Sequence, residues 1–193
     1  MTSRSPKSAT SPRSTYSLSI ASVMSGSRSP GRSWSWRFGG LRITGRYRRN
    51  ATTLVHGDFR LGNVIVNRCG LAAVLDWELV HRGDPMEDLG YLCLRAWRFG
   101  APLPVAGVGT FDQLFNAYES ARDDGSRVDR DAVRWWQIAG TLSWGIGCLQ
   151  QANRHLLGST RSVELAAIGR RVAEQEYDLV RMLSAETTRA KGA

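Results

Sequence analysis

Between Leu54 and Leu92, three clusters of polar side chains interrupt apolar runs: His56-Gly57-Asp58 with Asn63, Asp76-Trp77-Glu78, and Gly83-Asp84-Pro85 with Asp88. Carboxylates next to β-branched residues are costly to bury unless they are paired, hydrogen-bonded or bound to metal. So many in so short a stretch point to a site. Asp58, Asn63 and Asp76 offer carboxylate and amide oxygens, the hard ligands that suit Mg²⁺, which keeps water and substrate phosphates in its other positions.

The elements that would position these groups can be read locally. Val64 to Val66 is a β-branched run and Leu71 to Leu75 a second apolar one. The connection Asn67-Arg68-Cys69-Gly70 ends in glycine and predicts a hairpin. Asp58 and Asn63 then lie on the loop entering the first strand, and Asp76 lies at the exit of the second. A hairpin brings its open ends together, so the three side chains meet at one edge. Asp84-Pro85-Met86-Glu87 reads as a helix start, with Asp84 as N-cap, proline first and glutamate third. That helix presents Leu89, Leu92, Cys93 and Ala96 and is expected to end at Gly100.

An H-G-D-x-x-x-x-N loop, a strand ending in D-W-E and a G-D-P-x-x-D-L segment follow one another here. With these motifs the chain resembles the phosphotransferase family that includes aminoglycoside and choline kinases and is related to protein kinases. In detail it looks most like a bacterial branch related to domains fused to acyl-CoA dehydrogenases, and the resemblance runs from Thr53 to about Leu183. It implies an α+β fold: a protein-kinase-like C-terminal lobe, mostly helical, with a small catalytic β-hairpin. It further implies that Asp58 is the catalytic base on an acceptor hydroxyl, and that Asn63 and Asp76 hold Mg²⁺ against the phosphates of ATP, the phosphoryl donor. Such transfer needs positioning and charge neutralisation more than covalent help. By the same resemblance Asp88 braces the catalytic loop through backbone N–H groups. His56 is read as a packed core group, not a catalytic one. Glu78 either reaches the metal or faces solvent.

The rest of the chain sets bounds. Residues 1–50 hold ten basic and no acidic residues, so the net charge of +9 belongs to this segment, and the near-neutral remainder speaks against a nucleic-acid-binding domain. Residues 1–51, rich in Ser, Arg, Pro and Gly, read as a disordered extension. Their composition leaves open a transit peptide, an RNA-associated tail, or sequence not native to the fold; the last is preferred. Gly40 to Tyr47 invites a phosphate-loop reading, but Arg46 and Tyr47 stand where Lys and Ser or Thr are required. No apolar run reaches eighteen residues, so no membrane span is expected. Cys69, Cys93 and Cys148 read as buried, reduced thiols of a cytoplasmic protein.

After Gly100 the sequence predicts helices. T-x-x-Q at Thr110 is a capping box, and Phe111, Leu114, Phe115 and Tyr118 follow at helical spacing. A long helix from about Arg130 to Leu157 and a closing one from Ser162 to Leu183 complete residues 52–185, with 186–193 as a tail. Aromatics at helical spacing read first as core. Adjacent Trp135 and Trp136 cannot both face one core, so one of them is a candidate for the acceptor pocket, as are Trp97 and Arg98. Arg98 would suit an anionic acceptor.

Kinases of this type also need an N-terminal lobe with a loop over the phosphates and a strand lysine. Before Leu54 the chain offers only Lys7. The expectation is therefore an ATP- and Mg²⁺-dependent kinase lobe for a small hydroxylated molecule, without its N-terminal lobe and weakly active or inactive alone. A non-catalytic binding module of the same fold is the alternative.

Overall fold

The computed structural model describes residues 33–38, 41–46 and 53–191. The chain divides into two units, Met1–Arg48 and Arg49–Ala193. In the first, β1 (Ser33–Phe38) pairs antiparallel with β2 (Leu41–Arg46), Phe38 opposite Leu41. Sequence analysis assigned no element here. The overlooked signal is period-two alternation at Trp34, Trp36 and Phe38, then Gly39-Gly40, then Leu41 and Ile43, a hairpin pattern. The rejected phosphate-loop stretch falls largely on β2. The remaining residues of the expected disordered extension lie outside those described.

The second unit opens with β3 (Thr53–Val55), which pairs antiparallel with β6 (His81–Gly83). Between them stands the predicted hairpin, β4 (Val64–Asn67) with β5 (Gly70–Val74), Asn67 opposite Gly70. Gly70 takes φ 113°, open to glycine and strained for other residues. Cys69 lies in this turn and is exposed, against the expectation of three buried thiols; Cys93 and Cys148 are buried. A two-residue turn at the hairpin tip has nothing to cover it.

Five helices follow: α1 (Met86–Leu92), α2 (Phe111–Ser120), α3 (Arg130–Leu156), α4 (Val163–Arg170) and α5 (Val172–Lys191). The capping box at Thr110 forms as read, with Gln113 N donating to Oγ1 of Thr110 and Thr110 N to Oε1 of Gln113. Asp129 caps α3 through the amides of Asp131 and Ala132.

Two helices are shorter than periodicity suggests. The site helix stops at Leu92, and a single 3₁₀ turn spans Arg95–Trp97. The Cys93 carbonyl accepts from Nη2 of Arg98 at 2.9 Å and Nε2 of Gln137 at 3.2 Å, partners supplied from outside the helix. The closing helix breaks at Arg171. There α4 approaches α3 so closely that a Cβ on Gly169 would lie 2.5 Å from Cβ of Ala152. At the crossing of α1 and α3 a Cβ on Gly90 would lie 2.5 Å from Cβ of Trp136. Around these crossings pack Leu94, Ala96 and Trp97, with Tyr91 and Trp144 against them. No helix among the described residues is long and apolar enough to cross a membrane.

Candidate active site

Asp58 sits on the loop between β3 and the hairpin, where the backbone turns sharply at Gly57. Gly57 has φ 84°, and a Cβ there would meet the Leu79 carbonyl oxygen at 2.7 Å, so only glycine fits. Asp88 of α1 holds the loop from below, accepting from His56 N at 2.8 Å and from Gly57 N at 3.0 Å. The brace that the resemblance implied is therefore present. His56 is 3 % exposed; its Nε2 donates to the Leu75 carbonyl at 2.8 Å and its Nδ1 accepts from Asp58 N at 3.2 Å. One buried imidazole thus ties the loop to the exit of β5, a structural role, as expected.

The hairpin closes its open end as the topology requires. Leu75 N donates to the Asn63 carbonyl at 2.8 Å, which sets Asp76 beside Asn63. The buried Asn63 side chain donates Nδ2 to Oδ2 of Asp58 at 2.7 Å and to the Asp58 carbonyl at 2.9 Å. All three predicted residues therefore gather at this edge. The amide nitrogen of Asn63 is committed to Asp58, while its Oδ1 accepts from no described residue. Asp76 is exposed, has φ 65°, and its carboxylate has no partner among the described residues. A non-glycine residue in the left-handed region is strained, and such strain concentrates where a side chain must be aimed. Glu78 is exposed in the following turn.

Two further residues reach Asp58. Arg60 Nε lies 3.2 and 3.1 Å from its two carboxylate oxygens, and the guanidinium rests 5.0 Å from the ring centroid of Trp97. Tyr91, from α1, lies close enough for the Asp58 charge to act on its hydroxyl. Burial, and then the Asp58 charge, push its hydroxyl far above the ordinary tyrosine range, so it stays an O–H donor. Sequence reasoning named neither. The available signal was that Tyr91 follows Asp88 by three positions and so shares its helix face.

The acceptor-pocket candidates fare differently. Trp136 packs at the α1–α3 crossing and donates Nε1 to Oδ2 of Asp84 at 2.6 Å, while Trp135 meets it edge-on. The other Asp84 oxygen accepts from Met86 N, so the expected cap forms and is braced across the core. Trp97 is buried beneath Arg60 and packs on Trp144. Arg98 lines a cavity whose walls include none of Asp58, Asn63 and Asp76. It does not join the site.

A family model described as the phosphotransferase enzyme family matches residues 36–136. The chain belongs to the phosphotransferase enzyme family. The match opens within β1 and runs through Asp58, Asn63, Asp76, Asp88 and Tyr91. The chain is 39% identical over 84 residues to mouse acyl-CoA dehydrogenase family member 10, covering 37% of this chain and 8% of that protein. It is 30% identical over 127 residues to human acyl-CoA dehydrogenase family member 11, covering 58% of this chain and 16% of the relative. The chain thus spans less than a fifth of the length of these curated relatives. Among solved structures, a Ralstonia eutropha JMP134 protein assigned as an aminoglycoside phosphotransferase superposes with TM-score 0.52 at 25% identity, covering 64% of this chain and 40% of that one. The kinase-like α+β fold expected from the motifs is the fold of this chain.

Beside the brace, Glu87 of α1 lies 3.3 Å from Nε2 of His81. Burial raises the Glu87 carboxyl to about 7, and hydrogen bonding to the Leu79 carbonyl, then Glu87, raises His81. Both groups bind protons more tightly folded than unfolded, so their stabilisation is complete at low pH and is lost as pH rises. For Glu87 the loss starts near its unfolded value of 4.5 and is complete above about 7. We expect the melting temperature to fall between pH 5 and pH 8, and Glu87→Gln to flatten that slope. An equal slope in the variant would remove the assignment.

Proposed function

We propose that this segment carries the catalytic edge of an ATP- and Mg²⁺-dependent phosphotransferase acting on a hydroxyl of a small acceptor, a metabolite or an aminoglycoside-like molecule. The observation that carries the reading is the junction of the hairpin ends. Asn63 Nδ2 bonds Asp58 and the Asn63 carbonyl bonds Leu75 N, leaving Asn63 Oδ1 and the Asp76 carboxylate free side by side.

That donor set fits Mg²⁺. One carboxylate and one amide oxygen leave room for water and phosphate oxygens. Among the described residues no group of three His, Cys, Asp or Glu side chains forms a closed metal centre. Asn63 and Asp76 would hold the ion, which when bound supplies neutralisation of phosphate charge. Asp58 accepts the proton of the acceptor hydroxyl. Asn63 keeps its carboxylate aimed, and Arg60 balances its charge until the proton arrives. The match with the solved aminoglycoside phosphotransferase supports the acceptor class, and the cytoplasm, where ATP is abundant, is the proposed location.

Transfer also needs the donor phosphates held in line with the acceptor, and positioning of this kind is worth about 7–11 kcal/mol. The chain's two lysines, Lys7 and Lys191, are both far in sequence from the Asp58–Asp76 stretch. The 193-residue chain by itself is therefore expected to transfer phosphate weakly or not at all. The exposed Val66, Leu71, Trp77 and Leu79 around the hairpin favour a second reading, a kinase-like binding module that meets a partner through this apolar face.

Mg²⁺ titration tests the metal assignment without requiring turnover. Asp76→Asn should weaken binding more than Asn63→Ala, because it removes a full charge as well as a ligand. Equal affinity in wild type and Asp76→Asn would remove the assignment and leave the binding-module reading.

A further inference from the structure

The cavity that takes Arg98 lies between the Arg95–Pro102 segment and α5, and has a volume of about 590 Å³. Such a volume is within the usual range for small-molecule sites, about 300–1,000 Å³. Its charges are unevenly matched. Asp178 pairs with Arg95 at 2.9 Å and Glu174 with Arg171 at 3.1 Å, so both carboxylates on the wall are already engaged. Arg98 and Arg181 are left without a carboxylate at ion-pair distance among the described residues.

Arg98 is the more telling of the two. One Nη donates to the Cys93 carbonyl, while its Nε is buried and bonds nothing among the described residues. A part-buried guanidinium with no carboxylate at ion-pair distance is destabilising as it stands, and an anion in the cavity would offset that cost. Burial, the largest cause, also lowers its pKa, opposed in part by the Asp178 carboxylate. Arg181 lies 5.7 Å from the ring centroid of Tyr177, on the same wall.

The rim is aromatic. Phe99 is 72% exposed and is held at φ 49°, a conformation that a bulky residue adopts at a cost. Tyr177 is 58% exposed on α5. Neither is needed by the core, and both border the cavity.

We propose that this cavity binds a small organic anion, its carboxylate or phosphate group held by the Arg98 and Arg181 guanidinium groups and its apolar body resting against Phe99 and Tyr177. The planar fork of arginine suits both kinds of group. The site is separate from the Asp58 edge and does not depend on phosphoryl transfer.

Calorimetric titration of the 193-residue chain with phenyl phosphate, benzoate, inorganic phosphate and benzyl alcohol tests it. Saturable binding of phenyl phosphate or benzoate is expected, and whichever binds more tightly identifies the anionic group. Inorganic phosphate should bind more weakly than phenyl phosphate, and benzyl alcohol should not bind. Arg181→Gln, at an exposed position on α5, should weaken binding about tenfold. Arg98→Lys should also weaken it, since it keeps the charge and loses the fork. Asp58→Asn should bind like wild type, which separates this site from the catalytic edge. Absence of saturable binding by both organic anions, or wild-type affinity in both Arg181→Gln and Arg98→Lys with native melting, would overturn the proposal.

Discussion

Asp58→Asn should lower phosphoryl transfer by about 10²–10⁴-fold, the range a positioned general base contributes, while melting stays close to that of the parent. The measurement belongs in a longer phosphotransferase that carries this segment and turns over measurably. The surroundings of the carboxylate favour this outcome. Its side chain is 17% exposed, so an acceptor hydroxyl can reach it, yet Asn63 and Arg60 both direct donors at it. Asparagine keeps an acceptor oxygen for those donors, so the fold loses little. It cannot take up the proton. Undiminished turnover would show that Asp58 is not the base, whereas lost turnover with a collapsed melting temperature would mean that its role is structural.

Asp88→Ala is expected to be the most destabilising change near the site. Asp88 accepts from the amides of His56 and Gly57, and no other described side chain accepts from them. Hydrogen bonds to a charged group are worth about 1.5–3 kcal/mol each, so two together approach about 3–6 kcal/mol. That is a large part of the 5–15 kcal/mol by which domains are usually stable. Thermal melting should fall markedly for Asp88→Ala and less for Asp88→Asn, which retains one acceptor oxygen. The same loop carries Asp58, so transfer should fall with it. An unchanged melting temperature in Asp88→Ala would show that water replaces the carboxylate and that the loop does not depend on the brace.

The sequence by itself determined the parts whose physics is local. The β4–β5 hairpin follows from two apolar runs around a turn ending in Gly70, and the meeting of Asp58, Asn63 and Asp76 follows from hairpin geometry. The caps at Asp84 and Thr110 depend on residues two or three positions apart, and they formed as read. The brace from Asp88 was legible only through the resemblance, because it links residues more than thirty positions apart. Tertiary structure decided the rest. Periodicity carried the site helix on to Gly100, but Arg98 and Gln137 take the Cys93 carbonyl and the helix stops at Leu92. Likewise the closing helix breaks where Gly169 lets α4 press on Ala152. Tyr91 and Arg60 join Asp58, and Arg98 leaves it for another cavity, for the same reason: where a long side chain ends depends on what packs beneath it, and spacing along the chain does not contain that.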